Sequence, residues 1–406
     1  MRTVAVVGAS LAGLSSARAL RSQGFDGRLV VIGDEAHRPY DRPPLSKEFL
    51  AGKVSLPDIA LEADDEELEA EWLLGVRAER LDQQGQQVVL GDGRRIRADG
   101  VVLATGASAR SLPGLSALSG VHVLRTLDDA LALRAELESG RRLVVIGAGF
   151  IGAEVASTAH QLGLDVTVVE AMPTPLAGPL GTEMGAVVGG LHADHGVRLL
   201  CGTGVRRVVG AERAQGVELL DGTLLQADVV LVGVGAQPNV DWLRGSALEL
   251  ADGVQCDSGG RTAVPHVVAV GDCAAWYDGR LGGHHRVEHW TGALDRPKRA
   301  VATLLSGDSS GPEPAPAYFW SDQYDVRIQF AGNAQLADSV RIEDGDPDER
   351  SFLAVYRRDD DAVAVLAMNQ PRLFTRWRRS LAAAPVTAPV TTSATASLTA
   401  PVTATR

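Results

Sequence analysis

At 406 residues the chain is long enough for about two or three domains, each with its own buried core. Hydrophobic residues make up 45% and the net charge is −12, which fits a globular protein and excludes a general face for nucleic-acid phosphates, leaving only local basic patches. Cys201, Cys256 and Cys273 fall at no Cys-x-x-Cys spacing, so neither a zinc site nor a dithiol redox centre is legible, and their scatter suits a reducing cytoplasm.

The chain begins with RTVAVVGASLAGLSSARALRSQGFDGRLVVIGDE from Arg2. Val4 to Val7 reads as an apolar strand, Gly8 to Gly13 as a tight turn, Leu14 to Ser22 as a helix, and Arg28 to Ile32 as a second strand ending at Asp34 and Glu35. A leader peptide would have to overlap the first strand, and no apolar run reaches the roughly 18 residues of a membrane span. In a dinucleotide site the first glycine makes the turn, the second lets backbone approach the pyrophosphate, and the third packs helix on strand. The acid about twenty residues on then bonds the ribose. Ser10 replaces the second glycine with another small residue whose hydroxyl is a modest donor. One such fingerprint is weak, because an ordinary strand-to-helix turn looks alike.

The plan returns in RRLVVIGAGFIGAEVASTAHQLGLDVTVVEA from Arg141. Gly147, Gly149 and Gly152 follow the strand Leu143 to Ile146, and the strand Val166 to Val169 ends on Glu170. RIRADGVVLATGASARSLP (95–113) closes the first unit and LLQADVVLVGVGAQPN (224–239) the second, so the chain holds an internal repeat. A third element, TAVPHVVAVGDCAAW (262–276), brings Gly271 and Asp272 to the C-terminal end of a strand, the edge where open α/β sheets bind ligands.

The two fingerprints, the turn Ala104-Thr105-Gly106, Gly233-Val234-Gly235 within GVGAQPN, and AVGDC together resemble the two-dinucleotide flavoproteins of the glutathione-reductase type. YDRPPLSKEFLAG (40–52) narrows the resemblance to the NADH-dependent ferredoxin reductases that serve bacterial cytochrome P450 and Rieske oxygenase systems. It covers roughly residues 1 to 380. It implies an α/β fold with two Rossmann-like FAD- and NAD(P)-binding domains and a C-terminal α+β interface domain. The FAD domain is expected over 1–110 and 241–315, the NAD domain over 111–240 and the interface domain over 316–381. The low-complexity run 382–406 is expected to be disordered, having too little apolar surface to offset chain entropy.

The resemblance also implies site residues. For FAD they are Gly8, Ser10, Leu11, Ala12 and Gly13 along the pyrophosphate, Asp34 on the adenosine ribose with Glu35 as the alternative, then Arg42, Lys47, Ala78, Ala104, Thr105, Gly106, Arg125, Gly271, Asp272 and Trp290. Trp320 either covers the flavin or packs in the core. For NADH they are Gly147, Gly149, Phe150, Ile151, Gly152, Glu154, Glu170, Gly233, Val234 and Gly235. Lys47 is expected beside the flavin N5 edge, stabilising negative charge that arrives with hydride. Glu154 is expected to pair with Lys47 and touch the nicotinamide amide. Glu170, with no arginine close after it, is expected to accept from a free 2′-hydroxyl and repel a 2′-phosphate, favouring NADH. No metal site is expected.

Where disulfide reductases of this fold carry cysteines beside the flavin, this chain has YDRPPLSKEFL, so electrons are expected to leave singly to an acidic iron–sulfur ferredoxin. The alternatives are an NADH-responsive regulatory flavoprotein of the apoptosis-inducing-factor type and an NADH oxidase. Basic residues gather in DRPKR (Arg296, Lys298, Arg299) and PRLFTRWRR (Arg372, Arg376, Arg378, Arg379), expected near the electron exit. Two stretches depart from the pattern. GALDRPKRA (292–300) puts Pro297 into the helix after Trp290, which is expected to start late or kink. PLAGPLG (175–181) is glycine-rich where relatives carry arginine.

Overall fold

The computed structural model describes residues 1–63, 66–84, 86–112, 118–311 and 315–383; the low-complexity run lies outside them from residue 384 onward. Strand Thr3–Val7 is β-branched and apolar, and it becomes the centre of an all-parallel sheet. Arg28–Ile32 and then Ala70–Leu73 lie on one side of it, Gly100–Leu103 and then Val267–Ala269 on the other. Strand Arg142–Ile146 is the centre of a second sheet of the same plan, between Asp165–Glu170 and Val229–Val232. Each unit inserts a three-stranded antiparallel meander before its closing strand, 78–97 in the first and 205–226 in the second.

The repeat has one backbone requirement, met twice. A Cβ on Gly8, where φ is +120°, would come within 1.9 Å of the Ala104 carbonyl oxygen, and one on Gly147, where φ is +103°, within 2.3 Å of that of Gly233. Only glycine lets the turn pass under the end of the neighbouring strand. The third glycines, Gly13 and Gly152, would put a Cβ 1.8 Å and 2.2 Å from the carbonyl oxygens of Gly8 and Gly147. They seat each helix, Leu11–Ser22 and Phe150–Gln161, on its strand. Just beyond the closing strands the chain crosses between units as an antiparallel pair, Ala107–Ala109 with Ala236–Pro238.

A five-stranded antiparallel sheet built from 318–368 forms the third unit, with helix Pro371–Ala383 against it. One apolar cluster joins Tyr40, Leu45 and Phe49, the second unit's Val155 and Val168, and the third unit's Phe330 and Leu366. All three units therefore meet around segment 40–59. No helix among the described residues is long and apolar enough to cross a membrane.

The helix after His289 corrects one expectation. It begins at Trp290 and runs unbroken to Ser306 with Pro297 inside, so it does not start late. Tertiary anchors hold the turns ahead of the proline: Trp290 Nε1 donates to Asp41 at 2.7 Å, Thr291 Oγ1 donates to the Tyr318 carbonyl at 2.8 Å, and Arg296 stacks over Trp276.

Candidate active site at the junction of the three units

A cleft of about 1300 Å³ runs along the C-terminal edge of the first sheet to where the three units meet. Pockets for drug-sized ligands measure roughly 300–1,000 Å³, so the cleft has the volume for a dinucleotide. Its floor is the turn Gly8–Ala12, and helix Leu11–Ser22 starts there with no side-chain cap from Ser10. Helix Phe150–Gln161 likewise starts uncapped at Gly149. Free N–H groups and the helix dipole make both ends suited to phosphate.

Of the expected FAD residues, Gly8, Ser10, Leu11, Ala12, Asp34, Glu35, Arg42, Lys47, Ala78, Ala104, Thr105, Gly106, Arg125, Gly271, Asp272, Trp290 and Trp320 all line this cleft. Gly13 does not: it is buried beneath the turn, pressed against Gly8, and it packs the helix rather than meeting phosphate. The two acids ending the second strand divide their work. Glu35 accepts from Tyr40 Oη and from Arg42, whereas Asp34 is exposed with Arg77 3.5 Å away and keeps an oxygen for a diol. Ser10 Oγ accepts from Arg42 Nε at 3.2 Å, so its own hydrogen remains to donate into the cleft.

Arg42 is the hinge of this wall. Besides Ser10 and Glu35 it donates to the Arg125 carbonyl, and Arg125 in turn pairs with Asp272. Tyr40 Oη donates to Glu35 and accepts the Leu127 N–H at 2.9 Å. Burial pushes the Asp41 carboxyl up, opposed by the Trp290 hydrogen bond. The Trp290 and Trp320 rings meet edge to face at 5.7 Å, so Trp320 is a wall of the cleft.

The short helical turn Pro43–Ser46 delivers Lys47 to the far end. Lys47 Nζ donates to Glu154 Oε2 at 2.6 Å and to the Pro43 carbonyl at 3.0 Å. Ser46 Oγ donates to the same Glu154 oxygen. The other oxygen, Oε1, accepts from Ser321 Oγ at 2.7 Å, and Ser321 Oγ accepts from Gln323 Nε2 at 3.0 Å. Because a carboxylate only accepts, Ser321 donates its hydroxyl hydrogen to Glu154 while its oxygen accepts from the amide, so the chain of bonds has one direction. Ser46, Ser321 and Gln323 were not foreseen. The one signal in the sequence is that Ser321 and Gln323 share a face of strand Tyr318–Gln323.

Of the expected NADH residues, Phe150, Ile151 and Glu154 reach the cleft; Gly147, Gly149, Gly152, Gly233, Val234 and Gly235 lie at the edge of the second sheet outside its wall. Glu170 is also there, accepting from the N–H groups of Ala148 at 2.8 Å and Met172 at 2.9 Å. None of the three cysteines lines the cleft: Cys201 is exposed, and Cys256 and Cys273 are buried in the first unit's core. Two of the three residues of the first basic cluster are engaged within the chain, and only Lys298 is exposed. Arg296 is turned inward over Trp276, and Arg299 points at the Ser309 and Gly311 carbonyls.

Residues 2–296 match the family described as pyridine nucleotide-disulphide oxidoreductase, and residues 318–399 the reductase C-terminal family. The chain is 38% identical over 386 residues to rhodocoxin reductase of Rhodococcus erythropolis, covering 94% of this chain and 89% of that protein. It is 36% identical over 375 residues to the ferredoxin–NAD(+) reductase component of the p-cumate 2,3-dioxygenase system of Pseudomonas putida, covering 91% and 90%. Its fold superposes on the crystal structure of the covalent putidaredoxin reductase–putidaredoxin complex with a TM-score of 0.90 at 32% identity, over 94% of this chain and 93% of that one.

Proposed function

The chain belongs to the pyridine nucleotide-disulphide oxidoreductase family, and from that premise we propose how its residues carry electrons from NADH through FAD to an iron–sulfur ferredoxin serving an oxygenase. It is an NADH-dependent ferredoxin reductase, and FAD and NADH are its cofactors. The observation that carries the reading is the buried Lys47–Glu154 pair, set in a cleft wall that the first and second units share and lined by no cysteine. Bound FAD accepts two electrons together and returns them singly.

The residues fit that cofactor. The uncapped helix start at Leu11 and the Ser10 hydroxyl hold pyrophosphate, and Asp34 holds the adenosine ribose. Arg42, Arg125 and Asp272 form the polar wall of the cleft, and Trp290 and Trp320 supply its aromatic faces. The FAD domain is assigned to 1–110 with 241–315, the NADH domain to 111–240 and the interface domain to 316–381. In the NADH domain the turn Gly147–Gly152 and the strand end Gly233–Gly235 form the backbone cradle. Lys47 meets the negative charge that hydride brings, and Glu154 positions Lys47 and the nicotinamide amide. Ser46 and Ser321 hold the Glu154 carboxylate from opposite sides. The three unpaired cysteines suit a cytoplasmic enzyme.

The function is tested by NADH-driven cytochrome c reduction with purified enzyme and added ferredoxin. Turnover that depends on ferredoxin is expected. Turnover that needs only oxygen, or none with any ferredoxin of the source organism, would sink it.

The Glu170 carboxylate gives a separate prediction. Glu170→Gln keeps an acceptor for only one of the two N–H groups, those of Ala148 and Met172, which bond different carboxylate oxygens, and it removes the charge facing a 2′-phosphate. The ratio of kcat/KM for NADPH to that for NADH is expected to rise roughly tenfold, about 1.4 kcal/mol. An unchanged ratio in steady-state assays would free Glu170 of the role.

A further inference from the structure

Behind Phe319 lies a second cavity, of about 430 Å³, that nothing in the electron-transfer reading uses. It shares Pro179, Glu288, His289 and Phe319 with the main cleft, so one layer of side chains divides the two. Both stretches that depart from the resemblance converge here. Gly178 and Pro179 of PLAGPLG form one wall, and Arg296 of GALDRPKRA another. A Cβ on Gly178 would meet nothing within 4 Å, so that wall is open space where a longer side chain would have filled it.

The cavity has a polar end and an apolar end. At the polar end the Arg296 guanidinium lies 5.1 Å from the centre of the Trp276 ring. Its neighbour Arg286 is paired with Asp252 at 3.0 Å and with Glu288, whereas Arg296 makes no hydrogen bond or ion pair among the described residues. Asp278 lines the same cavity but does not close a bridge to it. Burial pulls the Arg296 pKa below its ordinary value, opposed in part by the charge of Asp278. His289 adds a second unfilled position: its Nδ1 is buried without a partner, and burial lowers its pKa to about 4, so the ring is neutral near pH 7. The apolar end is formed by Phe319 and Phe330, whose rings stack at 5.3 Å, with Leu336 and Val363.

We propose that this cavity binds a small aryl carboxylate, its carboxylate on Arg296 and its ring against Phe319 and Phe330. A planar guanidinium grips a carboxylate through two parallel hydrogen bonds, and stacked aromatic rings favour another ring. The anion supplies the direct ion pair that Arg296 lacks, and the cavity's volume lies within the range of small-ligand pockets. This site is separate from the one that takes NADH.

The probe is benzoate, titrated by calorimetry into the FAD-loaded enzyme, with uncharged benzamide as the control. Saturable one-site binding of benzoate in the millimolar range or tighter is expected, with benzamide weaker by about tenfold or more, the loss of one charge-assisted contact. Arg296→Gln is expected to weaken benzoate by the same factor and leave benzamide and NADH-driven ferricyanide reduction unchanged. Should that variant fail to fold, Ala334→Phe fills the cavity from the third unit and is expected to remove benzoate binding while ferricyanide reduction continues. Absence of saturable benzoate binding, equal affinity for benzamide, or full affinity in these variants would overturn the proposal. So would strict competition between benzoate and NADH, which would place the probe in the main cleft. Since ferricyanide reduction is followed in every arm, failure here is distinguishable from failure of the reductase reading.

Discussion

Lys47→Met is expected to slow reduction of bound FAD by NADH about 100- to 1,000-fold in stopped flow, while the enzyme still purifies yellow. That is the loss typical of one electrostatic donor aimed at developing charge in a water-poor site. The ammonium is fixed by Glu154 at 2.6 Å and the Pro43 carbonyl at 3.0 Å, so no reorientation is needed when charge arrives. Removing Lys47 alone also strands the Glu154 carboxylate, which is only 5% exposed, and an uncompensated buried charge costs roughly 3–5 kcal/mol. The single variant is therefore expected to melt earlier. Lys47→Met with Glu154→Gln removes both charges together, so it is expected to recover thermal stability without recovering the rate. Contacting residues are non-additive. Strictly additive effects of the two substitutions on flavin reduction, or a Lys47→Met rate within a few-fold of the parent, would refute the assignment.

The repeat was legible because its cause is local. Gly8 and Gly147 are demanded by carbonyls of the adjacent strand, and the strands carry the unbroken apolar runs of a sheet buried on both faces. The Lys47–Glu154 contact was not legible in this way. The two residues are 107 positions apart on different units, and only the resemblance placed them together. Ser321 and Gln323 escaped even that, since a serine and a glutamine on a strand announce nothing until the third unit docks against helix Phe150–Gln161. The late start expected from Pro297 failed for the converse reason. Local chemistry argued for a late helix start, and hydrogen bonds from Trp290 and Thr291 to distant partners outweighed it. The basic clusters show both sides of the same limit: sequence locates charge, but only packing reveals that Arg296 faces inward.

The C-terminal basic cluster is the expected docking face for the ferredoxin. Arg372, Arg376 and Arg379 are exposed on helix Pro371–Ala383, and their spacing of four and three residues puts them on one face. Arg378 flanks that face and lies 4.1 Å over the Tyr318 ring. Tyr318 stacks on Trp320 at 6.0 Å, and Trp320 borders the cleft, so a row of rings leads from the cleft wall to this helix. An acidic ferredoxin drawn to the helix would arrive at the end of this row of rings, despite the chain's net charge of −12. The choice of residues to reverse follows from the packing. Reversing Arg378 would also break its ring contact, whereas Arg376→Glu with Arg379→Glu changes only exposed charge. At low salt that double variant is expected to raise the apparent KM for ferredoxin about 10- to 100-fold. Flavin reduction by NADH and ferricyanide turnover are expected to stay as they were. Raising salt should erode ferredoxin turnover of the parent much more than that of the variant, because charges farther apart than about 8 Å are screened at physiological ionic strength. Equal ferredoxin kinetics and equal salt dependence in the two proteins would move the docking site off this helix.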